Sequence, residues 1–192
     1  MPLSEPAQRE LLHLRDITLR GYRRTDGLFD VEAEIADTKS YGFKVGDRGD
    51  IAPGEKLHNM LLRMTVDANL TIVACEASTE AGPFLSCPGG AETFGRLAGL
   101  SIRAGFLREA NARIGGTDGC THIRELLQQM ATVAVQTSFV LPARQKNDAA
   151  GAERLVNTCH AYAATGPVVR QRWPHLYSGP DATALRPEAG AD

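Results

Sequence analysis

A change in hydrophobic period near the middle of the chain is the feature that most constrains its fold. Between Leu57 and Val66, residues His58, Met60, Leu62, Met64 and Val66 fall at every second position, the repeat of a strand with one face turned to a core. Phe29 to Asp37 alternates in the same way, with Val31, Ala33 and Ile35 on one face and Asp30, Glu32, Glu34 and Ala36 on the other. Leu11 to Arg20 places His13, Arg15, Ile17 and Leu19 together, and after the short turn Asp67-Ala68-Asn69 the segment Leu70 to Thr79 returns as a fourth strand. Beyond the loop holding Pro83, Cys87, Pro88 and Gly89-Gly90, hydrophobic residues recur at three and four instead. That spacing predicts short helices over 91–100 and 106–114, a glycine-rich break at 115–119, and a long helix beginning near Cys120. His122, Leu126, Met130, Val133, Thr137 and Val140 trace one stripe of that helix, and Pro142 ends it. A weaker helical pattern covers 149–164.

Strands grouped first and helices second predict an α+β fold, an antiparallel four-stranded meander followed by a helical half. The expected organisation is a single domain over 1–177 and a flexible tail over 178–192, since 192 residues suffice to bury a core without disulfides or a structural metal. With 21 basic and 23 acidic side chains the net charge is −2, so no global field holds nucleic acid or an anionic membrane surface. No apolar run approaches the roughly 20 residues needed to cross a bilayer. The absence of a basic-then-apolar leader gives a cytoplasmic expectation. Cys75, Cys87, Cys120 and Cys159 are widely spaced, which reads as reduced thiols and not as a zinc or redox motif.

Few residues carry chemistry on their face. His58 sits on a strand face that is otherwise apolar, where an imidazole needs a partner, and histidine titrates near neutrality. Cys120 lies at the start of the long helix, where the helix dipole favours a thiolate, with His122 two residues on. The plainer reading of both is a tight glycine turn, a cap at Asp118 or Thr121, and a histidine packed at the end of an apolar stripe. Arg20-Gly21-Tyr22-Arg23-Arg24 sets three cations around a tyrosine, able to hold a carboxylate, phenolate or phosphate; the plainer reading is a solvated turn paired with Asp26 or Asp30. Lys39 adds a cation at the close of the second strand. Glu76 shares a parity with Leu70, Ile72 and Ala74 and is a candidate inward acid, although a solvent-facing edge is the commoner fate of such a residue. His13, His58, Cys120 and His122 are all metal-ligand types, but no pair has a recognised zinc spacing.

Several blocks in a fixed order resemble a bacterial family known only as a domain of unknown function, family 2889. These blocks are Arg20-Gly21-Tyr22-Arg23-Arg24 with Asp26-Gly27-Leu28-Phe29-Asp30, then Asp37-Thr38-Lys39, then Leu57-His58-Asn59-Met60 with Leu62-Arg63, and Gly119-Cys120-Thr121-His122 with Glu125-Leu126-Leu127. The resemblance spans about 11–137 and implies no reaction. In general look the chain is also similar to lyases of lignin-degrading bacteria that open a phenylcoumaran dimer and release its hydroxymethyl carbon as formaldehyde.

That second similarity implies a cofactor-independent carbon–carbon lyase acting on a small aromatic substrate, with no metal. His58 or His122 would then be the base, Cys120 and Tyr22 further catalytic candidates, and Arg23, Lys39 and Glu76 substrate-binding candidates. Two alternatives stand beside it: a metal-assisted enzyme using the same histidines, and a non-catalytic binding or oligomerisation module in which the sheet or the long helix makes a homodimer.

Overall fold

The computed structural model describes residues 3–141 and 155–181. The chain forms two compact units, Met1–Ser138 and Phe139–Asp192, and the division falls beside the limit of the family-like core expected at 137. The first unit is built on β1 (His13–Arg23), β2 (Phe29–Lys39), β5 (Lys56–Val66) and β6 (Ile72–Ala81), hydrogen-bonded in the order β1-β2-β5-β6. Every neighbouring pair is antiparallel, so the α+β class and the four-stranded meander read from the alternation are the observed ones. The connection over 39–55 is not plain loop. It holds a small separate hairpin of β3 (Phe43–Val45) and β4 (Gly49–Ile51), too short for its period to show in the sequence.

One face of the sheet is the core face. On β2 the residues Phe29, Val31, Ala33 and Ile35 are buried, alternating with half-buried Asp30, Glu32, Glu34 and Ala36. The helices follow as α1 (Gly89–Glu92), α2 (Phe106–Ile114) and α3 (Thr121–Ser138), with a 3-10 segment over Thr93–Leu97. The expected helix at 106–114 has its predicted limits, while the one over 91–100 is split between α1 and the 3-10 segment. α3 buries Ile123, Leu126, Leu127, Met130 and Ala134, a stripe at three and four spacing, and lies over β2, β1 and β5. Each of the large ones, Ile123, Leu126, Leu127 and Met130, contributes about 1.5–3 kcal/mol when it leaves water.

Two glycines are fixed by close approach. A Cβ on Gly21 of β1 would fall 1.8 Å from Thr137 Oγ1 of α3, and one on Gly90 would lie 3.2 Å from the Cβ of Cys120. The Cys120 N–H donates to the Gly90 carbonyl at 3.1 Å, tying the start of α3 to α1.

β6 corrects the expected parity of its residues. Val66 pairs with Ile72 and Thr65 with Ala74, so Val73 is an extra, bulged residue. A bulge reverses which side chains point inward. Cys75 is therefore buried, whereas Glu76 faces solvent.

The described part of the second unit contains α4 (Pro167–Arg172) and a small cluster of Val169, Trp173 and Tyr177. Pro167 occupies the first helical position, where a missing N–H costs nothing. Residues 149–154 of the weak helical pattern and 182–192 of the expected tail lie outside the described residues. Leu155 is helical, and over 156–164 the regular element among the described residues is a 3-10 turn at His160–Tyr162.

Candidate active site

The strand register builds the site before any side chain is considered. Arg15 of β1 lies opposite Asp37 of β2, and Asp37 lies opposite His58 of β5. The three therefore form one row across the core face, at the end of the same alternation that buries Phe29, Val31, Ala33 and Ile35. Asp37 is 1% exposed. Immediately beyond it the β2–β5 register slips by one residue, leaving Leu57 unmatched, a bulge of the kind that re-aims side chains beside functional sites.

Asp37 is saturated with donors. Arg15 clamps both of its oxygens, Nε to Oδ1 at 2.7 Å and Nη2 to Oδ2 at 2.8 Å, and His58 Nδ1 approaches Oδ2 at 2.9 Å. His13 Nε2 stands 3.3 Å from Oδ1. The remaining Arg15 arm reaches Glu125 of α3 at 2.8 Å. Burial works against ionisation of Asp37, but the Arg15 hydrogen bonds and charge, followed by the His58 hydrogen bond, hold its carboxyl at about 2. It is a carboxylate at neutral pH and accepts only. His58 is shifted downward, first by burial and then by the neighbouring His122, against the upward pull of Asp37. The 2.9 Å contact is accordingly a hydrogen bond donated by a neutral imidazole from Nδ1, which leaves the lone pair on Nε2.

The first turn of α3 closes over this row. The His122 ring stacks on the His58 ring with centroids 3.9 Å apart and planes tilted by 32°. Cys120 Sγ lies 4.0 Å from His122 Nδ1 and 3.7 Å from Met60 Sδ. The sequence-predicted residues His58, His122 and Cys120 are thus brought together.

Other predicted residues are placed elsewhere. Tyr22 is seven residues along β1 from Arg15, roughly 24 Å at about 3.4 Å per residue, and is 43% exposed. Arg23 is next to it at the far end of the strand. In that turn Arg24 pairs with Asp26 at 2.7 Å and Asp30 at 3.4 Å, the solvated-turn arrangement. Glu76 pairs with Arg63 at 2.7 Å on the outer face of the sheet. Lys39 follows Asp37 on the same face of β2, but its Nζ lies over the rings of Tyr41 and Phe43 at 5.5 and 5.8 Å.

Sequence reasoning missed Asp37, Arg15 and Glu125 as site members. The signal for Asp37 was its parity: it is the next odd position after Ile35 on a strand whose odd positions are all core. Arg15 shares a parity with His13, Ile17 and Leu19. Glu125 carried no local signal, because its role depends on how α3 crosses β1.

Asp37, His58 and His122 each offer a ligand atom within 4.8 Å of the others, the one group of metal-ligand type found among the described residues. Two histidines and a carboxylate form a recognised set for divalent first-row metals. In this geometry, however, both Asp37 oxygens are held by Arg15 and the imidazole nitrogen facing Asp37 carries a proton. A metal would have to displace those contacts.

The chain belongs to the family described as Protein of unknown function (DUF2889), whose model matches residues 13–136, a span containing every residue of the site. No curated protein and no solved structure matches the chain. No helix of the described residues is long and apolar enough to cross a membrane.

Proposed function

We propose that this protein is a small-molecule enzyme working by acid–base chemistry without an organic cofactor, with His58 as base, Asp37 as the group that orients it, and His122 as the adjacent proton donor. The observation that supports this reading is the Asp37–His58 contact of 2.9 Å under the stacked His122 ring. A buried carboxylate that fixes the Nδ1–H tautomer and turns Nε2 outward is how a histidine base is prepared. His58 has 12% of its side chain exposed.

Within this class the reaction put forward is carbon–carbon cleavage of a phenylcoumaran-type aromatic dimer. The free phenol of the other ring gives its proton to solvent and becomes a quinone methide as the aryl ether opens and its oxygen leaves as a phenolate. His58 then takes the proton of the hydroxymethyl group, whose carbon leaves as formaldehyde. The electron pair of the broken bond forms the new carbon–carbon double bond and restores the aromatic ring. Protons return to both phenolates, one through His122, and no oxidant or reductant is consumed.

Formaldehyde released from a phenylcoumaran dimer tests the reaction. His58→Ala is expected to lower the rate by about 10²-fold or more while leaving the melting transition in place. A fully active His58→Ala protein would remove the base assignment, and no release by the unaltered chain would remove the substrate.

A second reading, a metal-assisted enzyme using Asp37, His58 and His122, is favoured by their mutual approach. Metal analysis of protein purified without chelator decides it, and occupancy below about a tenth of an equivalent would sink the metal form.

A further inference from the structure

The two edges of the sheet are finished differently. Along β6, Ile72 donates to Leu100 and accepts from Gly99, each at 2.8 Å, Ile102 donates to Leu70 at 2.9 Å, and Thr71 bridges Ser101. The following chain thus pairs with Leu70, Thr71 and Ile72, where that edge begins. Among the described residues β1 is bonded on one side only, to β2, and over its 11 residues all but Ile17 and Leu19 are exposed. It has no proline and no bulge against β2, two of the devices that blunt a free edge, although it does carry the charges of Arg15, Asp16 and Arg20. Its outward backbone N–H and C=O groups form a template for another strand.

The side chains select which strand. If β1 meets β1 of a second copy antiparallel about Thr18, with the helices of both copies on the same side, Asp16 falls opposite Arg20, Leu14 opposite Tyr22 and Ile17 opposite Leu19. Asp16 and Arg20 are exposed and make no ion pair among the described residues, and Leu14 and Tyr22 are 44% and 43% exposed. Centring the pairing on Asp16 sets Asp16 against itself, and centring it on Arg20 sets Arg20 against itself. Centring it on Ile17 or Leu19 leaves both charges opposite uncharged residues. Of these registers only the Thr18 one matches the charge pair, which the two-fold symmetry repeats twice, together with both apolar pairs, which it repeats four times in all. Opposite charges and apolar pairs directly across an antiparallel ladder are each worth about 0.2–1 kcal/mol, and like charges cost a similar amount.

We propose that β1 is a self-association edge, and that two copies of this chain join there about Thr18 into one continuous eight-stranded sheet. The occupant is a second copy because the unpaired charge pattern of β1 is complementary to itself in reverse.

Sedimentation equilibrium of the full chain over about 1–300 μM, a range in which a weak specific contact registers, is the experiment. The unaltered chain is expected to reach a dimer. Asp16→Arg alone and Arg20→Asp alone should each weaken it by about tenfold or more, while the two changes together restore it. Thr18→Cys in a Cys159→Ser background should crosslink covalently on mild oxidation, which reports the register even if a charge variant folds poorly. A chain that stays monomeric over the whole range overturns the proposal. So does a dimer that ignores both single reversals, or one in which Thr18→Cys fails to crosslink.

Discussion

The two ends of the core face are made by the same three strands yet follow opposite rules. At one end Phe29, Val31, Met64 and Val66 are fully buried, and on β2 and β5 nothing polar interrupts them on that face. At the other end, three same-face positions on from Val31 along β2, an equally buried position carries Asp37, flanked by Arg15 and His58. Continuing the Phe-Val-Ala-Ile stripe would have been the simpler way to make a core. Taking a carboxylate out of water costs several kcal/mol before its partners offset it. The apolar end is explained by stability alone, whereas the polar end asks for a use.

The largest effect belongs to the apolar end. Met64→Ala should destabilise by about 2–5 kcal/mol through lost burial and the cavity left behind, read by denaturant titration, with no new pH dependence. Asp37→Ala should cost about 3 kcal/mol, the low end for stranding the partners of a buried pair, because Arg15 is about one-third exposed and can turn to water. A smaller loss than at surface acids would show that the row is not buried in solution.

Replacing the whole row by Arg15→Leu, Asp37→Leu and His58→Phe sharpens the contrast. Well-packed apolar substitutes for buried ionic groups are often neutral or stabilising, so this variant should melt at or above the parent while losing any turnover. An unfolded variant would instead assign the row a structural role.

Overpacking sets the next magnitude. Gly21→Ala drives a methyl group into Thr137 and should cost about 1–3 kcal/mol, with partial recovery in Gly21→Ala/Thr137→Ala.

The pH response should also separate the two ends. Asp37 has a depressed folded pKa of about 2, so its contribution is present above the unfolded carboxylate value and is lost as pH falls toward 2. His58 is also depressed, first by burial. The unfolded chain therefore takes up that proton before the folded one does, and stability falls as pH drops below the ordinary histidine range. Asp37→Asn should remove the first dependence and His58→Phe the second in melts from neutral to acid.

The smallest effect is kinetic. Cys75 sits on the core face with its thiol pushed up to about 12 by burial and by Glu76, so it should be alkylated last, after exposed Cys159 and half-buried Cys87 and Cys120. Early modification of Cys75 would mean that this part of the sheet opens readily.

What sequence alone determined was whatever repeats. Period-two alternation located the four long strands to within about three residues, and three-four spacing located α2 and α3, because a side chain's face follows from its position in a regular backbone. The same periodicity marked His58 as a polar group on a core face. Tertiary structure decided everything that depends on one strand meeting another. The bulge at Val73 turned Glu76 outward and Cys75 inward, and pairing with β1 and β5 turned Asp37 from a strand-end acid into the centre of the site. The crossing of α3 set His122 on His58 and Glu125 on Arg15. The cations of Arg20 to Arg24, adjacent in sequence to a tyrosine and suggestive there, lie a strand length from the histidines. Local pattern fixes orientation within an element, but register and crossing arise between elements, and contacts such as Arg15 to Glu125, 110 positions apart, leave no trace in either segment alone.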